Sequence, residues 1–362
     1  MRDSQSRVAV RCQDLNRNDF KLSVLLVTHP VIMFMSILLA LAGLFFLPAS
    51  AGAFSMELPV NCTGAEFCAP QNYFDHDPSP AYADYVCGPL SYDTHTGTDI
   101  RISYADMERG VAVLAVADGV VRAVRDGEAE GEISLRGKAS VKGREAGNAV
   151  VLVHGKDVET QYSHLKRGSV AVRSGQHVRT GQVLGMVGLS GVTEFPHLEI
   201  SVRYKGQPVD PYMGLVSDGC SGPREVLWSR AALQSPVLAY RASGLLEAGF
   251  FNVPPKDPIA LLRRHGWLEG RAGDPDALVF GVLVFGPRSE DVWNLRLFGP
   301  DGQILAESST TQQRHQAQAL RYVGKKRGTG WKPGFYRGEF RLTRAAEGDV
   351  VSVVREVEVL RE

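Results

Sequence analysis

The chain has 362 residues, with 40 Lys and Arg against 40 Asp and Glu, so its formal net charge is zero. A balanced charge without long like-charge runs excludes the basic face of a nucleic-acid binder, and 44% apolar residues exclude a chain too polar to bury a core. The length accommodates two domains.

The first 53 residues stand apart from the fold. Arg2, Arg7, Arg11, Arg17 and Lys21 lead into the apolar run 31–47, and small residues follow from Pro48 to Ala53. That order predicts a signal peptide cleaved after Ala51 or Ala53. The alternative is an uncleaved inner-membrane anchor, because 22–47 is long enough to span a bilayer. Either way the chain is expected to be exported, to the periplasm or cell envelope.

With Cys12 in that lead, four cysteines remain, Cys62, Cys68, Cys87 and Cys220, an even number suited to an oxidising compartment. Three pairings are open; we expect a local loop, Cys62–Cys68, and a long-range bridge, Cys87–Cys220. A four-cysteine zinc site lacks the Cys-x-x-Cys spacing such sites use. Residues 54–94 read as a disulfide-tied lead-in segment. Its stretch YFDHDPSPAYADY (73–85) has neither helical nor strand period, so His76 with Asp75 and Asp77 reads as a surface loop rather than a metal cluster.

The chemistry concentrates between His95 and Glu199, in HTGTD (95–99), YSHL (162–165) and PHLE (196–199). Strand residues two or four apart share a face. His95 and Asp99 therefore converge if their segment is extended, as do His197 and Glu199. With His164 on a neighbouring strand, three imidazoles and two carboxylates come together, the groups that bind zinc and move protons beside it. Around these motifs run short β-rich segments. Residues 111–117, the Asp118-Gly119 turn and 120–124 predict a hairpin. A polar, glycine-rich insert spans 126–147, and further strands are expected at 148–154, 160–165, 181–187 and 198–202. This region is predicted to be all-β, an antiparallel sheet or partly open barrel.

The succession of HTGTD, Gly-Asn-x-Val-x-Leu-x-His-Gly (147–155), TQYSHL (160–165), Gly-x-x-Val-x-x-Gly-Gln-x-Leu-Gly (175–185), Gly-x-Ser-Gly (188–191), PHLE and the closing Val-Asp-Pro-Tyr (209–212) resembles the lysostaphin-type, LytM-like zinc metallopeptidases. The resemblance covers 73–212. It implies a peptidase β-sheet groove of the duplicated hybrid motif type, one Zn2+ per chain, and hydrolysis of peptide cross-links in bacterial peptidoglycan. Some members of that family have lost zinc and activate separate cell-wall amidases instead. Carried over by position, His95 and Asp99 are metal ligands, and His164 and His197 handle protons and steady the oxyanion. The family's third ligand is a histidine where this chain has Glu199. Carboxylate oxygen is a competent zinc ligand, but a His, Asp and Glu set is formally neutral with zinc, makes bound water less acidic and suits harder ions. Because the other four residues remain, we expect a metal-binding enzyme; a degenerate, non-catalytic member that binds wall or activates another hydrolase is the alternative. A secreted peptidase for other small peptides is a third reading. A biotinyl or lipoyl carrier shares the Gly-rich hairpins but lacks a lysine at the 117–119 turn.

Outside the motifs, His154 reads as a strand-end residue that supports the site through a hydrogen bond, His177 as surface, and Glu194 as a solvated loop residue. Residues 95–219 are thus the metallopeptidase-like domain and 220–273 a connector, with a short helix expected at 257–264 capped by Asp257 and opened by Pro258. Residues 274–362 show six or seven alternating runs, which predict an immunoglobulin-like β-sandwich with its core on Trp293, Trp331, Phe335 and Tyr336. That domain is expected to dock wall or a partner, another wall hydrolase or an envelope protein, or to serve as a scaffold.

Overall fold

Alternating burial along short strands decides most of the architecture. The computed structural model describes residues 54–360 apart from 156, 215–218, 223 and 265. The predicted signal segment, 1–53, lies outside the described residues. Among the described residues no helix is long and apolar enough to cross a membrane.

The first half contains β1 (Cys68–Asn72), β2 (Thr98–Ile102), α1 (Tyr104–Arg109), β3 (Ala112–Leu114), β4 (Gly119–Arg125), α2 (Ile133–Arg136), β5 (Asn148–His154), β6 (Val158–Leu165), β7 (His177–Val178), β8 (Val183–Met186), β9 (His197–Tyr204) and β10 (Gln207–Val209). One antiparallel sheet runs β1-β2-β9-β6-β5-β4-β7, with β10 added to β9. Its apolar face, carrying Ile100, Val150, Leu152, Tyr162, Leu198 and Ile200, packs in a core with Val113 and Leu184 of the separate β3–β8 pair. The opposite face is free to carry polar groups.

The expected hairpin across Asp118-Gly119 does not form. β3 pairs with β8, whereas β4 pairs with β5 and β7. Asp118 accepts from Thr180 N at 2.7 Å and Oγ1 at 2.9 Å, and Ala115 N donates to Gln182 O at 2.9 Å, so the turn carries the chain from one sheet to the other. The insert 126–147 holds only α2 and one short 3-10 turn.

Both disulfides join the expected cysteines, Cys62 with Cys68 and Cys87 with Cys220, at Cα separations of 6.1 and 5.2 Å. The lead-in segment is packed rather than loose. Tyr73 is buried among Tyr85, Tyr212 and Tyr240, and Tyr85 stacks on Tyr212 with ring centroids 4.4 Å apart. His76 is no surface group either: its Nε2 meets Asp210 Oδ2 at 2.7 Å, and both side chains are nearly fully buried.

Past β10 come α3 (Arg230–Leu233), β11 (Gly244–Phe251), α4 (Pro258–Leu262), β12 (Arg271–Ala272), β13 (Ala277–Phe285), β14 (Val292–Phe298), β15 (Ile304–Thr311), β16 (Gln318–Lys326), β17 (Gly334–Arg344) and β18 (Gly348–Val359). α4 has the predicted cap, Asp257 accepting from Ala260 N at 2.7 Å with Pro258 at its first position. Two sheets, β11-β13-β16 and β12-β18-β17-β14-β15, face each other across one core built on Phe250, Phe280, Trp293, Leu295, Tyr336 and Phe340. β11 comes from the stretch read as connector; it pairs with β13 along its whole length. Phe335 departs from expectation. It is 59% exposed while Tyr336 is buried, because β17 alternates and only one of two consecutive aromatics can face the core.

Candidate metal centre and catalytic groove

β2 and β9 run antiparallel without a register shift, so Asp99 stands opposite Glu199 and Arg101 opposite His197. Cross-strand partners share a face, and here it is the face turned away from the core. His95 reaches the same point by a different route from the one predicted. Its segment is a turn rather than an extension of β2: His95 N donates to Tyr92 O at 3.0 Å, and Asp75 N donates to His95 O at 2.8 Å. Asp75 also accepts from Thr94 N at 3.0 Å, and the Tyr92 ring stacks on His95 with centroids 4.2 Å apart.

His164 arrives through a β-bulge. Val150 pairs with Tyr162 and Asn148 with Leu165, so β6 carries one residue more than β5 between these pairs. His164 itself has φ 64°, the left-handed region that costs a side-chain-bearing residue energy. The bulge interrupts the alternation, returning Leu165 to the core while His164 meets Glu199.

The five predicted residues converge. His95 Nε2 lies 3.3 Å from Asp99 Oδ1, His197 Nε2 lies 3.8 Å from the same oxygen, and His164 Nε2 lies 3.2 Å from Glu199 Oε2. Ligand atoms of His95, Asp99 and Glu199 all fall within 4.8 Å of one another. Asn72 Nδ2 donates to Asp99 Oδ2 at 3.0 Å, which turns the other oxygen inward. His164 Nδ1 meets Ser190 O at 2.7 Å, and His197 Nδ1 meets Phe195 O at 2.8 Å. A carbonyl only accepts, so each Nδ1 carries the proton and each Nε2 faces the groove.

Burial opposes charge throughout the cluster, and the neighbours then decide. Burial lowers the His95 and His164 imidazoles, but Asp99 beside the first and Glu199 beside the second outweigh it, so both are raised. For His197 burial wins and holds it at about 4. Burial works against the Asp99 and Glu199 carboxylates too, yet His95 and His164 respectively keep them below their ordinary range.

His95 Nε2 and Asp99 Oδ1 are buried and have no hydrogen-bond partner. Buried polar atoms left unpaired are costly, and these two aim at one point beside a carboxylate that is itself partly open. One nitrogen and two carboxylate oxygens are a donor set that a divalent cation satisfies, so the residues fit a metal ion.

His154 does not belong to this cluster, contrary to the supporting role predicted for it. It closes the far end of β5, where its Nδ1 meets Asp118 O at 2.8 Å and its Nε2 meets Thr160 Oγ1 at 2.7 Å. Asn72, Asp75, Ser190 and Thr193, whose Oγ1 lies 3.0 Å from His197 Nδ1, were not legible as site residues, since they act through hydrogen bonds that no spacing announces.

The sequence profile of Peptidase family M23 matches residues 93–211, which hold all five groups. Residues 93–211 are an M23 domain. The DD-carboxypeptidase/endopeptidase Mpg of Neisseria meningitidis is 39% identical to the chain over 119 residues, 32% of this chain and 22% of Mpg. The peptidoglycan DD-endopeptidase ShyA of Vibrio cholerae is 30% identical over 131 residues, 36% of this chain and 25% of ShyA. The chain thus spans about a quarter or less of these relatives' length. Among solved structures, a zinc containing peptidase from Vibrio cholerae is 26% identical, with 44% of this chain and 39% of that one covered and a TM-score of 0.30. Within the M23 domain, the insert lies along the loop that orients both histidines: Gly131 N donates to Leu189 O at 2.9 Å and Ile133 N to Thr193 O at 2.8 Å.

Proposed function

We propose that the chain is an exported zinc metalloendopeptidase that hydrolyses peptide bonds in peptidoglycan cross-links, working in the periplasm or cell envelope. The observation that carries this reading is the pair of orphaned buried atoms, His95 Nε2 and Asp99 Oδ1, beside the Glu199 carboxylate inside an M23 domain. The names of Mpg and ShyA support the substrate class, and the two disulfides support export.

In this reading His95, Asp99 and Glu199 hold the ion. Zinc bound there supplies a Lewis acid that polarises the scissile carbonyl and acidifies the attacking water. His164 and His197 present their Nε2 atoms to the groove at a ring separation of 4.6 Å. One takes the proton of the attacking water, and the other hydrogen-bonds the developing oxyanion. Ser190 O and Phe195 O fix a proton on each Nδ1, so the ring that takes the water proton is the neutral one and the ring that hydrogen-bonds the oxyanion carries a second proton on Nε2.

Elemental analysis of the purified chain, beside its Glu199→Ala and Glu199→His variants, tests the site. About one zinc per native chain, lost in Glu199→Ala, with release of cleaved cross-links from purified peptidoglycan, is the expected result. No metal in the native chain, with zinc gained only by Glu199→His, would overturn it and leave a non-catalytic wall-binding or hydrolase-activating protein.

A further inference from the structure

Arg101 sits on β2 two residues beyond Asp99 and directly opposite His197, so it shares the groove face with the metal-binding and proton-handling residues. Its side chain is fully buried, at 1% exposure. A guanidinium keeps its charge at neutral pH, and a buried charge without a counter-ion is costly enough that apolar residues of similar volume usually serve better. Among the described residues no carboxylate pairs with it. Nη1 donates to two neutral oxygens, Gln71 Oε1 at 2.7 Å and Gln318 Oε1 at 3.0 Å, and the Phe195 ring centroid lies 4.1 Å from Cζ. Nη2 is buried and has no acceptor at all.

The surroundings place this unused donor next to the reaction. Phe195 separates Arg101 from His197, with the two rings' centroids 5.0 Å apart, and its own carbonyl holds the His197 ring. Phe195 is only partly buried, so displacing this one ring opens the guanidinium to a ligand lying along His197. Gln318, on β16, closes the other side, so both halves of the chain shape the position.

We propose that Arg101 anchors a carboxylate subsite of the groove, receiving a peptide carboxylate next to the bond that His164 and His197 act on. The location rests on the peptidase reading above; the ligand class rests on the guanidinium, whose planar fork pairs with carboxylates in two parallel hydrogen bonds. The carboxylate comes either from a chain terminus or from a side chain.

The test is isothermal titration of the chain, chelator-treated so that no ligand is cleaved, with two ligand pairs. N-acetyl-D-Ala-D-Ala against its C-terminal amide reports a terminal carboxylate; N-acetyl-D-Ala-D-Glu amide against N-acetyl-D-Ala-D-Gln amide reports a side-chain one. The native chain is expected to prefer the acid of one pair by about tenfold or more, as a charge-assisted bond gives. Arg101→Gln abolishes that preference and Arg101→Lys keeps part of it, with thermal unfolding checking that both variants fold. Equal binding of acid and amide in both pairs, binding of neither, or an Arg101→Gln variant that weakens acid and amide by one factor would overturn the subsite and reduce Arg101 to a clamp between the two halves. Peptidoglycan digestion separates the two readings. A chain that prefers the acid but cuts no wall refutes the hydrolase and keeps the subsite, and a chain that cuts without preference refutes the subsite alone.

Discussion

Gly97 stands between His95 and Asp99, and adding one methyl group there tests whether Glu199 is a ligand. A Cβ at Gly97 would lie 2.8 Å from Glu199 Cγ, 2.9 Å from Glu199 Oε1 and 3.2 Å from Ser201 Oγ. Carbon atoms prefer separations of about 3.5–4.0 Å, so the overlap is about 0.7 Å or more. No backbone atom is among these neighbours and Gly97 has no left-handed φ, so the fold accepts alanine. Relief comes from moving the Glu199 side chain. That side chain is held by His164 at 3.2 Å and by Ser201 Oγ at 3.3 Å, and moving it withdraws its oxygen from His95 and Asp99.

Overpacking of this kind costs about 1–3 kcal/mol, which corresponds to roughly a 5- to 150-fold loss of metal affinity. Zinc competition against a chromophoric chelator measures it, with the melting temperature of Gly97→Ala staying near that of the native chain. In a Glu199→Ala background the same methyl group meets only the Ser201 hydroxyl at 3.2 Å, so it should cost little further. Strict additivity of the two substitutions, within about 0.5 kcal/mol, or a Gly97→Ala chain that binds zinc as tightly as the native one, would refute Glu199 as a ligand.

Two more perturbations probe the supports. A Cβ at Gly147, where φ is 59°, would fall 2.4 Å from the Ser190 carbonyl carbon; Gly147→Ala should displace the carbonyl that orients His164, lowering kcat on peptidoglycan far more than the folded fraction, and unchanged kcat per folded chain would count against that orientation. His154 is lowered by burial, which its bond to Asp118 O only partly offsets. The unfolded imidazole therefore takes its proton first, and the contribution to stability, whole above the unfolded value of about 6.5, fades as pH falls through the folded one. His154→Gln should flatten this loss in urea titrations at pH 7.5 and 5.5, and an unaltered slope would show that His154 is not its source.

What was legible in the chain follows from what alternation can report. PHLE and the Asp99 of HTGTD announced candidate ligands because β2 and β9 keep strict register, whereas His95 joins them from a turn. Failures occur where alternation is silent. β11 is buried on both faces at its end and shows no period. Asp118-Gly119 is the signal of a hairpin, yet the same two residues also fit a corner between sheets, and only the distant Thr180 decides between them. His154 sits on a strand of the site's own sheet, but at the opposite end, a distance that its neighbours in sequence do not encode.

The groups proposed to bind the ion and those proposed to handle protons also differ in what holds them. His95, Asp99 and Glu199 depend on β2, β9 and the turn before them, all within motifs that short spacings reveal. His164 and His197 depend on the loop 189–196, which supplies Ser190 O and Phe195 O. That loop is tied to the insert by Gly131, Ile133 and Glu145 through backbone bonds of 2.8–2.9 Å. The insert in turn is fixed by Glu132, buried, which accepts from Tyr104 at 2.6 Å and from Arg263 beside α4 at 2.7 Å. A polar, glycine-rich stretch without periodicity thus carries the orientation of both histidines to an element beyond the M23 domain. In the proposed reading, metal binding and proton transfer are accordingly separable: loss of the Glu132 anchor should loosen the second while leaving the strand-borne donors of the first in register.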